Sequence, residues 1–187
     1  MTVAVLDACV LYPPSLRDLL MRVASVGVYE PRLTDEIHDE WVRNVLKNNP
    51  RVTPTQLART RRLMNQVSTQ CLVSGYTARV ATLSLPDPDD RHVLAAAIEA
   101  GATLIVTFNL SDFPPTILQA YGIRSVHPDR FLSALFDANS DLFLSAVHQH
   151  RASLLKPPKN AEEYLQTLRV NGLKELVQRI EARAREI

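Results

Sequence analysis

A three-layer α/β fold with a central parallel sheet, followed by a helical C-terminal extension, is the architecture this sequence predicts. Three features carry that expectation. Short apolar runs at residues 3–6 and 104–107 read as buried strands, and residues 123–126 make a candidate last strand. Helical segments separate the runs, the rhythm of a parallel sheet covered on two sides. Beyond residue 138 only helical patterning remains.

The elements follow in order. Val3-Ala4-Val5-Leu6 is a strand that stops on a carboxylate, Asp7. Pro13 and Pro14 break the chain, and a helix over 15–26 follows with Leu16, Leu19, Leu20, Val23 and Val26 on one stripe. Residues 28–33 form a strand or an extended link. Thr34 caps a helix over 35–48 with Ile37, Trp41 and Val45 inward. Thr53-Pro54-Thr55-Gln56 is a helix start with a capping box, and that helix runs to about residue 69. Residues 71–85 lack periodicity and read as loop with short extended pieces. An acid-rich turn, Pro86-Asp87-Pro88-Asp89-Asp90, opens an alanine-rich helix that Gly101 closes. Strand 104–107 is next, then a short helix from Pro114-Pro115 to Gly122, strand 123–126, and a helix from Pro128 to about 136. The body ends near 137, giving a domain over 1–137 and an extension over 138–187, with helices near 141–154, 161–169 and 173–185.

Composition narrows the function. A net charge of +1 gives no global argument for a polyanion, although a basic rim beside an acidic pocket would cancel in the sum. Two cysteines, Cys9 and Cys71, make no disulfide scaffold and read as buried free thiols. No stretch reaches membrane-spanning length, and Asp7 interrupts the only early apolar run, so neither membrane anchor nor signal peptide is expected and the cytoplasm is the default location. Walker, dinucleotide-binding and serine-elbow motifs do not occur. The five histidines lack zinc spacing; His148 and His150 do not share a helix face, and His38 and His92 read as surface or rim groups.

The acidic residues are the informative set. Asp7 falls at the carboxyl end of the first strand, the edge where parallel sheets bind ligands. A helix-capping role competes with that reading, but the prolines that follow leave Asp7 no near helix to cap. Asp89 or Asp90 caps the alanine-rich helix, which frees the other, taken as Asp90, to face the crevice. Thr107 closes the strand 104–107, and Asn109 and Asp112 follow in its loop, where an Asx-turn and a cap before Pro114 are the local alternatives. Glu40 lies on the second helix beside Trp41; a solvated helix face is the ordinary role there, and only partnership with the other acids raises its weight. Converging carboxylates without bases repel one another and are tolerated around a hard cation. All-oxygen donors select Mg²⁺, or Mn²⁺, over zinc. Such a cation binds phosphate oxygens and activates water, so phosphodiester hydrolysis is the economical inference. Arg17, Arg43, Lys47 and Arg91 are candidate phosphate contacts, with solvated surface the commoner role for each.

Four motifs in this order resemble the PIN-domain nucleases, and among them the VapC-type toxin ribonucleases. They are Val-Leu-Asp-Ala-Cys-Val-Leu (5–11), Glu-Trp-Val-Arg (40–43), the Asp-Pro-Asp-Asp-Arg-His-Val-Leu-Ala-Ala-Ala stretch from 87, and Thr-Phe-Asn-Leu-Ser-Asp-Phe (107–113). The resemblance covers about 2–137. It implies a PIN-like fold and a Mg²⁺-dependent endoribonuclease, the toxin of a type II toxin–antitoxin pair, often homodimeric and restrained by a small antitoxin protein. By motif position it places Asp7, Glu40, Asp90 and Asp112 as metal ligands and catalytic acids, with Thr107 and Asn109 beside them. Many members carry Asp where this chain has Asn109, which points to Asp112 as the fourth charge and to one metal as readily as two. The tail resembles the C-terminal region of one subgroup, most clearly over 157–165. Arg151, Lys156 and Lys159 there could touch RNA, although intramolecular packing is the simpler use of its apolar stripes. Two rival readings stand beside the nuclease. One is a PIN-fold binding or regulatory module with weak or no catalysis. The other is a phosphatase or phosphoacceptor on a similar sheet, against which Cys9 occupies the place of a second Asp and no lysine follows the last strand.

Overall fold

The computed structural model describes residues 1–155 and 157–187; Lys156 lies outside the described residues. Four strands form one parallel sheet: β1 (Val3–Leu6), β2 (Glu30–Arg32), β3 (Leu104–Val106) and β4 (Arg124–Val126), in the order β2-β1-β3-β4. The helices are α1 (Ala8–Leu11), α2 (Pro14–Ser25), α3 (Asp35–Asn48), α4 (Pro54–Asn65), α5 (Thr77–Val80), α6 (Arg91–Glu99), α7 (Pro115–Leu118), α8 (Pro128–Ala138), α9 (Ser140–Ser153), α10 (Ala161–Val170) and α11 (Lys174–Glu181). Helices cover both faces of the sheet, which makes the expected three layers. Among the described residues no helix is long and apolar enough to cross a membrane.

The strand order has a functional consequence. From β1 the chain moves one way to β2, then crosses back over β1 to β3 and onward to β4. The direction of winding therefore reverses between β1 and β3, and a crevice opens at the carboxyl ends of those two strands. Ala4, Val5 and Leu6 pair with Leu104, Ile105 and Val106. Residues immediately after both strands, Asp7 and Thr107, thus emerge side by side.

Local signals explain most helix starts. Thr34 accepts a hydrogen bond from the Ile37 amide at 3.0 Å, a cap that contributes about 1 kcal/mol. Thr53 and Gln56 form the expected reciprocal capping box. Gly101 takes a left-handed φ of +60° at the end of α6, a conformation open to glycine without strain.

Some expectations give way to tertiary structure. Helix α4 stops at Asn65, short of residue 69, because the chain must turn back to set Cys71 and Val73 against Leu33; the Leu33 amide donates to the Cys71 carbonyl at 2.7 Å and the Val73 amide to the Leu33 carbonyl at 2.8 Å. The aperiodic stretch 71–85 holds one short helix, α5. A further one-turn helix, α1, starts directly after Asp7. His38 is not a rim group but fully buried. Its Nδ1 accepts from the Trp41 indole N–H at 3.0 Å, so Nε2 carries the proton and donates to Asn65 Oδ1 at 2.8 Å. Burial holds its pKa below the usual value. Of the two thiols, Cys71 is buried and Cys9 half-buried, and both are free.

The extension folds back on the body. Helix α9 packs along α2, and α11 packs along α8. Phe143, Leu144, Val147, Tyr164, Leu168, Leu176, Val177 and Ile180 are buried by this, so the apolar stripes of the tail find intramolecular cover. Asp129 of α8 fixes the register: its two carboxylate oxygens accept from the Glu175 and Leu176 amides, each at 2.9 Å. Those amides are free donors at the N-terminus of α11, where a carboxylate is favoured by hydrogen bonding and by the helix field. Two of the tail's cations are engaged internally. Arg151 donates to the Lys159 carbonyl, and Lys159 donates to Thr167.

Candidate active site

Asp7 sits at the mouth of the crevice and is 4% exposed. Its amide donates to the Val106 carbonyl at 3.1 Å, extending the β1–β3 ladder by one step and fixing where the side chain starts. It occupies the position before α1 but makes no side-chain cap there. Instead Oδ2 accepts from the Thr107 hydroxyl at 2.7 Å and from the Cys9 thiol at 3.0 Å. Thr107 is fully buried, and its hydroxyl oxygen in turn accepts from the Asn109 amide at 2.9 Å. Thr107 therefore positions the Asp7 carboxylate and the loop that bears Asn109. Burial, then the Asp7 charge, pushes the Cys9 thiol up to about 12, which keeps it a proton donor to Asp7.

Asp90 ends a 3-10 turn (Pro88–Asp90) at the head of α6. It makes no capping bond, and neither does Asp89; the cap belongs to Asp87, whose side chain accepts from the Asp89 amide at 2.9 Å. The expectation that one of the adjacent pair caps the helix is thus corrected. The extra 3-10 turn moves the capping position back to Asp87, and Asp90 is left free. Burial, followed by the charges of Asp7, Asp87, Asp112 and Glu40, pushes the Asp90 carboxyl up to about 7. Those charges come from four separate segments of sequence brought to one crevice.

Asp112 lies at the end of a 3-10 turn (Leu110–Asp112), with its amide donating to the Asn109 carbonyl at 3.1 Å. Its charge reaches Asp90, whereas Asn109 is neutral and exposed. Glu40 projects from α3 and places Oε1 at 3.0 Å from His92 Nε2. His92, expected at the rim, is 2% exposed. Its other nitrogen stands 3.7 Å from Glu36 Oε2. Neither contact is aligned with a ring N–H, so both are charge proximity more than hydrogen bonds. Burial works against a charged imidazole, but Glu40, Glu36 and Asp7 outweigh it and raise its pKa.

The donor set is all carboxylate, mutually repelling and without a paired lysine or arginine, which is the chemistry a hard divalent cation satisfies. The side chains are nevertheless not gathered. Among the described residues no three His, Cys, Asp or Glu side chains stand close enough together to hold an ion. Three of the four acids have taken another partner: Asp7 the Thr107 hydroxyl, Glu40 the His92 ring, Asp112 the Ser111 hydroxyl.

Sequence reasoning missed Asp87, Cys9 and the burial of His92. The signal for two of them was position, since Cys9 follows Asp7 by two residues and His92 follows Asp90 by two. Arg17 also changes role. Its guanidinium stacks 4.4 Å above the Trp41 ring and donates to the Leu11 carbonyl at 2.6 Å, so it braces α2 against α3 and α1. Burial lowers its pKa to about 10. Arg91 donates to the Pro88 carbonyl at 2.7 Å, while Arg43 and Lys47 remain exposed on α3.

The extension reaches the edge of this site. Phe108, between Thr107 and Asn109, packs edge-on against His127 with centroids 5.2 Å apart. A side chain at Gly172, in the turn between α10 and α11, would begin 3.8 Å from the Phe108 ring.

The family described as "PIN domain" matches residues 2–111, and the one described as "VapC50 C-terminal domain" matches residues 128–182. A protein of Mycobacterium tuberculosis (strain ATCC 25618 / H37Rv), described as "Putative ribonuclease VapC50", is 32% identical over 119 residues, which span 64% of this chain and 67% of that one. No solved structure matches.

Proposed function

The chain belongs to the PIN-domain family, with a C-terminal region of the VapC50 type, and from that premise we propose that it is a Mg²⁺-dependent endoribonuclease. Mn²⁺ would serve in the same site. The observation that carries the reading is the crevice between β1 and β3, where the charges of Asp7, Glu40 and Asp112 reach Asp90 with no lysine or arginine paired to them. Asp7, Asp90 and Asp112 would hold the cation, with Glu40 near them. Bound there, a divalent cation neutralises phosphate oxygens and acidifies water.

The chain's own residues account for the remainder. Thr107 and Cys9 both occupy Asp7 Oδ2, leaving Oδ1 as the oxygen free for the site. A site carboxylate takes the proton of the attacking water, with Asp7 and Glu40 the bases of first choice. Water oxygen bonds to phosphorus, the bond from phosphorus to the 3′ oxygen breaks, and that oxygen leaves as an alkoxide that takes up a proton from solvent. The products carry a 5′-phosphate and a 3′-hydroxyl, because the 2′-hydroxyl takes no part. Asn109 is a neutral side chain at the exposed margin, available to hydrogen-bond the substrate.

As partners we propose RNA, a small cognate antitoxin that restrains the enzyme, and a second copy of the chain. The setting is a type II toxin–antitoxin pair in the cytoplasm. The working division is a nuclease domain over 1–137 and an extension over 138–187. The test is to sequence the ends of RNAs cut by the purified chain, with Asp7→Asn as control. Cleavage to 5′-phosphate ends, abolished in a folded Asp7→Asn variant, is expected. Ends bearing 2′,3′-cyclic phosphate, or full activity in Asp7→Asn, overturn the proposal.

The second reading, a binding module with weak or no catalysis, draws on the neutral Asn109 and on the ungathered ligands. Mg²⁺ titration separates the two: a chain that binds no divalent ion is the binding module.

A further inference from the structure

A buried imidazole between two glutamates needs an explanation that packing does not give. His92 sits in the first turn of α6, two residues after Asp90 and directly before the buried Val93 and Leu94. An aliphatic side chain would fill the same space at no polar cost. Both ring nitrogens are shut off from water, and neither has an aligned hydrogen-bond acceptor. Unsatisfied buried nitrogens cost stability and are uncommon unless they serve a purpose. Here the ring lies between Glu36 and Glu40, which are one turn apart on the same face of α3, at 3.7 and 3.0 Å. Glu36 is itself held by the Tyr76 hydroxyl at 3.4 Å. The imidazole is therefore the link that ties the α3 acids to the helix that carries Asp90.

We propose that His92 is a positioning residue that fixes the Glu40 carboxylate relative to Asp7 and Asp90. The inference rests on the reading of these acids as a divalent-cation site. Groups that orient ligands without touching the ion typically change its affinity by about tenfold to a hundredfold. A side chain that merely fills space would weaken binding only in proportion to damage elsewhere, independently of Glu40.

A double-mutant cycle on Mn²⁺ binding, read by calorimetry without RNA, tests this. The proteins are the full chain, His92→Leu, Glu40→Gln and the pair combined, each checked by thermal melting. His92→Leu should weaken Mn²⁺ binding about tenfold or more, and Glu40→Gln comparably. The combined variant should bind no more weakly than Glu40→Gln alone, because His92 acts through Glu40. His92→Gln, which retains a donor of similar reach, should stay within about threefold of the unsubstituted chain. If His92→Leu does not fold, His92→Asn, polar but too short to reach Glu40, replaces it in the cycle. Fully additive losses, or unchanged affinity in His92→Leu, overturn the positioning role and leave the cation site standing. No Mn²⁺ binding by the unsubstituted chain overturns the site reading and this inference with it.

Discussion

Acidification should loosen the seam between the body and the extension, and His150 sets the size of the effect. Its side chain on α9 is fully buried. Nδ1 lies 2.9 Å from the Tyr164 hydroxyl of α10, and Nε2 lies 3.4 Å from Asp18 Oδ2 of α2 without an aligned hydrogen bond. The groups facing the ring are thus Asp18 and Arg22 from α2, Tyr164 from α10, and Lys159 from the segment before it. Burial first, with Arg22 and Lys159 adding to it against Asp18, lowers the His150 pKa to about 4. The folded state therefore prefers the neutral ring, while the unfolded chain takes up a proton near the ordinary value of about 6.5. Below that pH the unfolded state binds more protons, so stability falls as pH falls. The loss is complete near the folded value. Each pH unit across this window costs up to about 1.4 kcal/mol, so the full loss is about 3 kcal/mol. Urea unfolding of the metal-free protein at pH 7.5, 6, 5 and 4, compared with His150→Gln, isolates the term. His150→Gln should be less stable at pH 7.5, through the disturbed Tyr164 contact, yet lose less on acidification. An identical pH dependence in the two proteins would refute the reasoning.

Other outcomes follow from the same geometry. Asp129→Ala removes both acceptors at the N-terminus of α11 and should cost about 1–3 kcal/mol in urea unfolding, whereas a loss under about 0.5 kcal/mol would show that α11 docks without its cap. Asp90→Asn relieves repulsion in the crevice, so it should raise the melting temperature of the EDTA-treated chain at pH 8 while abolishing RNA cleavage; a destabilised variant would contradict the charge cluster. Thr107→Val takes the short hydroxyl bond from Asp7 and should cost about 1–3 kcal/mol and most of the cleavage rate, and an unaltered rate would remove Thr107 from the positioning of Asp7.

How far a residue was legible from sequence tracks the distance of its partners. Thr34, the Thr53–Gln56 box and Gly101 act within one helical turn, so short stretches of chain specify them. The uniformly apolar runs 3–6 and 104–106 required strands buried on both faces. An Asp at the end of the first of these could be assigned to the ligand edge before the strand order was known. Helix α1 is not legible in the sequence because one turn of Ala-Cys-Val-Leu carries no periodicity of its own. The capping role of Asp87 is not legible either, because the 3-10 turn that moves the cap is not encoded by residue type.

Sequence alone therefore determined a parallel α/β body, a helical tail, and a set of carboxylates at strand and helix ends. Tertiary structure decided how they meet. The reversal of winding between β1 and β3 brings Asp7 to Thr107 across a hundred residues, and the crossing of α3 with α6 puts His92 against Glu40. The fold also set Arg17 over Trp41 and gave the tail's apolar stripes to α2 and α8. The physical reason is the same in each case. Local patterning fixes which face of an element is apolar, but the partner of a polar or charged side chain is set by which elements the core brings into contact.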